Sequence, residues 1–204
     1  MLISAEAYCE SLRAYSPRVF CNGRKVESVA DEPAFAPGIA AIGVTYDFAL
    51  KDEHAQLMTA RQGTSGKTVN RMLHICETTT DLLYKLEAVR LVCRESGCAQ
   101  RYLSHDGLNA LFQATKRADA VHGTDYHQRF LAYLHEVQDR DLTLGIAMTD
   151  AKGDRSKRPG AQANPDVYVH IKERRKDGIV IRGRKRSSPR RPTCTSCWSC
   201  PVAP

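Results

Sequence analysis

The hydrophobic pattern of this chain changes its period near Asp141, and that change restricts the fold more than any other feature. Up to about that point, apolar residues recur every three or four positions, which is the spacing of amphipathic helices. Beyond Leu142 they alternate with polar residues, as Val167, Val169 and Ile171 do, which is typical of strands. The sequence therefore predicts a mainly α N-terminal helical domain followed by the beginning of a β domain.

Local signals place the individual elements. Ser4 is expected to cap a short first helix, and Asn22-Gly23 predicts a hairpin with a type I′ turn. Apolar residues at helical spacing from Thr68 to Arg94 predict one long helix with a buried stripe. Two more helices are expected to begin near Ser104 and near Thr124.

The last 21 residues differ in composition from the rest of the chain. Residues 184–204 contain five Lys/Arg, no Asp/Glu and three of the eight cysteines, and they directly follow a predicted hairpin over 166–183. Of the net charge of +7, five units belong to this tail, which leaves +2 for residues 1–183. A nearly neutral body lacks the basic surface of a nucleic-acid-binding protein, so no nucleic-acid partner is expected. We divide the chain into a helical domain (1–141), the start of a β domain (142–183) and an aberrant, disordered tail (184–204).

The N-terminal sequence and the cysteine spacing indicate in which cellular compartment the protein is expected. Met1 is followed by no basic and apolar leader, and no segment approaches the roughly 18 apolar residues of a membrane span. The five cysteines of the body are odd in number and irregularly spaced, unlike a disulfide framework. We therefore expect a cytoplasmic protein with no membrane partner.

The run from Met148 to Ser156 is the candidate binding site. A strand end followed by a glycine-containing turn offers free backbone N–H groups, and Thr149, Lys152 and Arg155 add donors and positive charge. That combination suits an electron-rich ring edge or a pyrophosphate. From these residues alone, a charged surface loop is the simpler alternative.

This run resembles the Met-Thr-Asp-Pro-Lys-Gly-Asp-Arg segment of the 4-hydroxyphenylacetate 3-hydroxylase / 4-hydroxybutyryl-CoA dehydratase family, with Ala151 in place of the proline. The resemblance extends over residues 1 to about 183. Other matching segments are Ala5-Glu6, Pro17-Arg18-Val19, Thr45-Tyr46-Asp47, Asp106-Gly107-Leu108-Asn109, Gly123-Thr124 and Asp177-Gly178-Ile179-Val180.

The resemblance implies an acyl-CoA-dehydrogenase-like architecture, in which a helical N-terminal domain precedes a β-barrel middle domain and a C-terminal helical bundle. FAD would lie between the middle domain and the bundle. It also implies which residues bind the flavin: Met148, Thr149, Asp150, Lys152, Asp154 and Arg155.

Two branches of the family compete. The aryl hydroxylases of the family that this chain resembles carry an Arg-(Ser/Thr)-Pro-Asp-Tyr substrate motif. The matching stretch of this chain, residues 104–107, lacks its tyrosine. Dehydratases carry a Cys-x-x-x-Cys pair that binds a 4Fe–4S cluster; Cys98 matches the first cysteine, but Tyr102 stands at the second. A neutral phenol replaces a thiolate poorly as a ligand, so the cluster is in doubt and Cys98 is at best a residual metal ligand. The local sequence still favours the dehydratase branch.

The resemblance thus predicts the N-terminal fragment of an FAD-dependent oxidoreductase or lyase, similar to 4-hydroxybutyryl-CoA dehydratase. The alternative is a fragment of a reduced-flavin-dependent aromatic hydroxylase. Since the C-terminal half of the site is missing, we assign no catalytic residue and expect weak or absent FAD binding and negligible turnover. Intact relatives would bind a small-molecule substrate, a CoA thioester or a phenol, and form homo-oligomers.

The tail leaves further alternatives open. Cys194, Cys197 and Cys200 could bind a metal and the neighbouring arginines a nucleic acid, which would make this a non-catalytic binding protein. One permitted set of codons for 185–201, read two nucleotides on, encodes a sequence similar to the family's. We therefore interpret the tail as a shifted reading frame, and an unstable remnant without a role is a third possibility.

Overall fold

The computed structural model describes residues 1–98, 100–147 and 149–185, together with the backbone of 196–199. Up to residue 185 the chain forms two compact units that part between Leu144 and Gly145. We call residues 1–144 the helical unit and residues 145–185 the β unit. Within the described residues, no helix is both long and apolar enough to cross a membrane.

The described residues of the helical unit form α-helices joined by a 3₁₀ turn at Arg71–Leu73 and two small antiparallel hairpins, which pair β1 (Val19–Cys21) with β2 (Arg24–Val26) and β3 (Thr59–Arg61) with β4 (Thr68–Asn70). The predicted helix-rich N-terminal part is therefore confirmed. Its elements are α1 (Ala5–Arg13), β1 (Val19–Cys21), β2 (Arg24–Val26), α2 (Ala36–Leu50), α3 (Asp52–Met58), β3 (Thr59–Arg61), β4 (Thr68–Asn70), α4 (Thr79–Ser96), α5 (Tyr102–His122) and α6 (Tyr126–Asp139).

Several element boundaries follow from local chemistry, as predicted. Ser4 caps α1, because its hydroxyl accepts a hydrogen bond from the backbone N–H of Ala7 at 3.1 Å. Asn22 and Gly23 turn the β1–β2 hairpin with φ of 51° and 78°, the positive values that a type I′ turn requires.

The single long helix predicted over Thr68–Arg94 is wrong. The segment begins as strand β4, passes through the 3₁₀ turn and becomes helical only at Thr79. Thr78 and Asp81 form a capping box there, and this box starts a new helix in the middle of the apolar run. Apolar spacing alone could not separate a strand and a turn from a helix, since Val69, Met72 and Ile75 recur at every third position, as they would in a helix, although residues 69–75 are all buried.

The buried stripe expected on this helix is also partly wrong. Three of its leucines are exposed on α4, by 50% at Leu82, 57% at Leu83 and 51% at Leu86. The helix instead packs through Ala88 and Val92, which are fully buried against α2 and α3.

Helix α2 organises the core of the helical unit. On one side Ile42 and Tyr46 pack with Tyr8 and Leu12 of α1, and the rings of Tyr8 and Tyr46 stack with centroids 4.9 Å apart. On the other side Phe48 and its neighbours join a second cluster with α3 and α4. Because both apolar clusters share α2, this helix is the centre of the unit.

A buried ion pair closes the helical unit. Nη2 of Arg101 donates to Oδ1 of Asp141 at 2.8 Å and to the carbonyl of Leu142 at 3.1 Å, and both charged side chains are 1% exposed. The guanidinium also lies over the ring of Tyr46, 4.4 Å from its centroid. Arg101 and Asp141 have φ of 58° and 46°, a strained conformation for non-glycine residues, which the pair compensates.

The β unit is built from short strands and turns. Strands β6 (His170–Arg174) and β7 (Ile179–Arg182) form an antiparallel hairpin with a bulge between Ile171 and Glu173. Strand β5 (Leu144–Ala147) begins at the last residue of the helical unit and pairs with β8 (Ser196–Ser199), which follows the β unit in the chain. Val167, expected in a strand, lies in a 3₁₀ turn.

The described residues of the β unit do not form a closed barrel, so the barrel implied by the resemblance stays a prediction. Strand β8 belongs to the predicted tail, whereas residues 186–195 and 200–204 lie outside the described part of the chain. The predicted disorder of the tail and the domain boundary at residue 184 therefore also stay predictions.

Replacing Arg101 with methionine should lower the free energy of unfolding of the helical unit by about 3–5 kcal/mol, because Asp141 would remain buried and unpaired. The double variant Arg101→Met/Asp141→Asn, which leaves no uncompensated charge, should recover part of this loss. Urea unfolding followed by far-UV circular dichroism measures both.

The matched control is Arg129→Met, which removes an exposed i,i+4 pair with Asp125 and should cost only about 0.3–0.5 kcal/mol. If the double variant is less stable than Arg101→Met, the buried charge of Asp141 is not the source of the loss.

Candidate functional site

A cleft of about 220 Å³ lies in the β unit, at the loop that follows β5. It is formed almost wholly by consecutive residues of that loop, which turn back on themselves beside the start of the hairpin. The residues that line it are Thr149, Asp150, Ala151, Lys152, Gly153, Arg155 and Tyr168.

Four of the six flavin residues implied by the resemblance meet in this cleft, namely Thr149, Asp150, Lys152 and Arg155. Asp154 does not line it. Its Oδ1 instead accepts hydrogen bonds from the backbone N–H of Ser156 at 3.0 Å and from the Ser156 hydroxyl at 2.6 Å. These bonds lower the pKa of the Asp154 carboxyl and give it a role in shaping the loop. Met148, the sixth residue, lies outside the described residues.

Gln162 braces the far end of the loop. Its Oε1 accepts from the backbone N–H of Asp154 at 2.9 Å, and its Nε2 donates to the carbonyls of Asp154 at 2.9 Å and Lys157 at 3.1 Å. Gly153 permits this close approach, because a Cβ there would lie 2.5 Å from Oε1 of Gln162 and 3.0 Å from Cγ1 of Val167. The backbone shape of the loop is thus set by a side chain several residues further along.

An ion pair braces the near end of the loop. Nζ of Lys185 lies 2.5 Å from Oδ1 of Asp150, and the lysine side chain is only 3% exposed. The two residues also form an antiparallel backbone bridge. Gly183 allows the chain to pass close behind Tyr168, since its φ is 134° and a Cβ there would lie 2.5 Å from Cα of Val169.

Sequence reasoning missed three contributors to this site. Tyr168 appeared only as an alternating strand residue, Gln162 as part of a polar loop, and Lys185 as one base of the tail. The burial of Lys185 has no sequence signal, because its partner lies 35 positions earlier and the tail composition suggests an exposed basic run.

The side chains of the cleft favour a ligand with negative or electron-rich character. Lys152 and Arg155 line the cleft and have no ion-pair partner among the described residues. Thr149, whose side chain carries a hydroxyl, and Tyr168, whose side chain carries an aromatic ring, also line the cleft. Two cations and a hydroxyl can bind a phosphate or the polar edge of a ring. Among the described residues that line the cleft, none is a histidine or cysteine that could act as a base or nucleophile.

Cys98, which the resemblance implies as a residual cluster ligand, is exposed two residues after the end of α4. Its sulfur accepts a hydrogen bond from Nε2 of Gln100 at 2.6 Å. Among the described residues, no group of three or more Cys, His, Asp and Glu side chains could hold a metal. These residues therefore do not fit a cluster site by themselves, and a metal role for Cys98 stays a prediction.

A second group of titratable residues lies in the helical unit. Nε2 of His105 lies 3.6 Å from Sγ of Cys76, and its Nδ1 lies 3.6 Å from Oδ1 of Asp106. Burial lowers the pKa of His105 to about 4 and raises the pKa of the Cys76 thiol. Opposite shifts keep both groups neutral near pH 7, so this group lacks the thiolate of a reactive Cys–His pair.

Comparison with known proteins matches this chain to the N-terminal region of 4-hydroxyphenylacetate 3-hydroxylase over residues 4–201. The chain belongs to this family. The family predicted from the sequence is thereby confirmed, for its N-terminal part. The match includes much of the tail, so the shifted-frame origin of residues 184–204 stays a prediction.

Two dehydratases are similar to this family member. The chain is 42% identical over 186 residues to the 4-hydroxybutyryl-CoA dehydratase/vinylacetyl-CoA-Δ-isomerase of Clostridium aminobutyricum. The aligned region covers 91% of this chain and 38% of that protein. The solved structure of an oxygen-tolerant archaeal 4-hydroxybutyryl-CoA dehydratase from N. maritimus has a TM-score of 0.86 and 39% identity. That match covers 91% of this chain and 37% of the other.

A hydroxylase structure shares the fold. The oxygenase component of 4-hydroxyphenylacetate 3-monooxygenase, complexed with FAD, has a TM-score of 0.73 and 24% identity, and the match covers 89% of this chain and 37% of the other. The family member described here thus spans less than two fifths of the length of these relatives.

The burial of His105 predicts that the free energy of unfolding of this family member depends on pH. Its pKa of about 4 lies below the ordinary 6.5, so the unfolded chain takes up this proton first as the pH falls. The stability that neutral His105 contributes is complete above pH 6.5 and is lost as the pH falls toward 4. The loss between pH 7 and pH 5 should be about 2 kcal/mol.

Urea unfolding at the two pH values checks this. His105→Gln should remove most of that loss, whereas the control His122→Gln, at an exposed position at the end of α5, should leave it unchanged. An equal pH effect in wild type and His105→Gln would contradict the prediction.

Proposed function

We propose that this chain supplies the flavin-binding loop of an FAD-dependent enzyme resembling 4-hydroxybutyryl-CoA dehydratase, as the N-terminal part of such an enzyme. The observation that carries the proposal is the cleft formed by Thr149, Asp150, Lys152 and Arg155. Family membership and the FAD complex of the related monooxygenase support a flavin as its ligand.

The donor set of the cleft fits part of an FAD molecule. Lys152 and Arg155 would bind the negative or electron-rich portion, and Thr149 would donate a hydrogen bond to it. Bound FAD would supply electron-transfer chemistry that the described side chains of this cleft cannot perform. The volume of about 220 Å³ is below the roughly 300–1,000 Å³ of complete small-molecule sites, so only a portion of the dinucleotide enters.

The branch is proposed from the degree of similarity. The dehydratases match this chain at 42% and 39% identity, against 24% for the monooxygenase structure. We therefore propose a CoA thioester as the substrate of the complete enzyme, with a phenol as the alternative. Because Tyr102 follows Cys98 where a second thiolate would be needed, we derive no step through an iron–sulfur cluster.

We further propose that the isolated chain has weak FAD affinity and negligible turnover. The two ends of the cleft loop are held by contacts within the chain, but the cleft itself is small, at about 220 Å³. The chain also covers only 38% of the length of the dehydratase. The strands of the β unit would then be the beginning of a barrel that further sequence completes, in an enzyme that forms homo-oligomers. A base or nucleophile for the chemistry would come from that further sequence.

FAD binding tests the proposal directly. Titration of the full chain with FAD, followed by flavin fluorescence, should show saturable quenching that Lys152→Met and Arg155→Met each weaken by about tenfold, since each loses one charged contact. The control Arg175→Met, in an exposed pair with Glu173 on the same unit, should bind as the wild type does.

The same preparation tests turnover. With FAD and 4-hydroxybutyryl-CoA, product should stay at the level of the buffer control. If the wild type shows no quenching, or if Lys152→Met and Arg155→Met bind FAD as tightly as the wild type, the cleft is not a flavin site. Formation of product above the buffer control would overturn the predicted inactivity.

A further inference from the structure

Lys185 combines deep burial with a position at the edge of the cleft. It follows β7 by three residues and pairs with Asp150 through an antiparallel bridge. Its side chain is 3% exposed, and its ammonium lies 2.5 Å from Oδ1 of Asp150. A lysine is seldom buried unless it is paired, because an isolated charge loses its hydration.

The carboxylate depends on this lysine in return. The Asp150 side chain is 23% exposed, but its Oδ1 is buried and accepts no hydrogen bond from the described residues, so the ion pair with the Lys185 ammonium is what offsets its charge. The exposed pair of Lys157 with Asp154 on the same loop is far looser, at 3.7 Å with both side chains about half exposed. The buried pair therefore restrains the loop and the exposed pair does not.

The restraint acts on the wall of the cleft. Asp150 stands between Thr149 and Ala151, which both line the cleft, and Gln162 holds the other end of the loop at Asp154. Lys152 lies between these two fixed ends and Arg155 directly follows the second, so both cations that line the cleft stand beside a restrained residue. A loop that is ordered before binding pays less conformational entropy when the ligand arrives.

We propose that Lys185 is a positioning residue for the ligand-binding loop 149–155, acting through Asp150. It does not touch the ligand; it holds the loop in the shape that presents Lys152 and Arg155. This inference rests on the proposed flavin function for its ligand, but the ordering of the loop can be measured without one.

The experiment uses the full chain with Lys185→Met, the conservative variant Lys185→Arg and the matched control Lys157→Met. Hydrogen exchange without ligand should be at least about tenfold faster over 149–155 in Lys185→Met, and unchanged over the helical unit. Its FAD affinity should fall about tenfold, the size expected when one or two side chains must be ordered on binding. Lys185→Arg should restore both quantities, and Lys157→Met should alter neither.

A double-mutant cycle with Asp150→Asn completes the test. Since the two residues act as one unit, Lys185→Met and Asp150→Asn together should be no worse than either alone. Loop exchange unchanged in Lys185→Met, or effects that add independently, would overturn the inference.

The two proposals fail in different ways. If wild type does not bind FAD but Lys185→Met still loosens the loop, the flavin function fails and the positioning role stands. If wild type binds FAD and Lys185→Met binds it equally well, the positioning role fails and the flavin function stands.

Discussion

The buried pair of Arg101 and Asp141 is the interaction on which the helical unit depends. It joins the residue before α5 to the residues after α6, and the guanidinium lies on Tyr46 in the central helix α2. The hydroxyl of Tyr46 donates to the carbonyl of Asp141 at 2.9 Å, so the same three residues are linked twice. Two charges in a nearly dry environment tolerate little displacement, because either one unpaired would cost several kcal/mol.

The β unit uses the same physical device near its cleft. Asp150 and Lys185 restrain one end of a short loop, and the amide of Gln162 restrains the other. The loop carries Lys152 between these restraints and Arg155 just after the second, and neither side chain has an ion-pair partner among the described residues. The cleft formed by this loop measures about 220 Å³, so the flavin that we propose would enter it only in part.

Elements whose signals are local were predictable from the sequence. The cap at Ser4 and the Asn22-Gly23 turn involve residues within three positions of each other, so composition and spacing suffice. The segment that begins at Thr68 failed, because a strand, a 3₁₀ turn and a helix share one apolar spacing there. Only the capping box at Thr78 separates them, and it was hidden within a run that already looked helical.

By itself, the sequence determined the family, the helix-rich N-terminal part and the loop that carries Thr149, Lys152 and Arg155, because these are properties of consecutive residues. Only the tertiary structure decided that the loop forms a cleft with Tyr168, and that Lys185 is buried against Asp150 instead of solvated in a basic tail. The reason is physical: whether a charged side chain is solvated or paired depends on whether folding buries it beside an opposite charge. Burial is a property of how distant segments pack, which local composition does not encode.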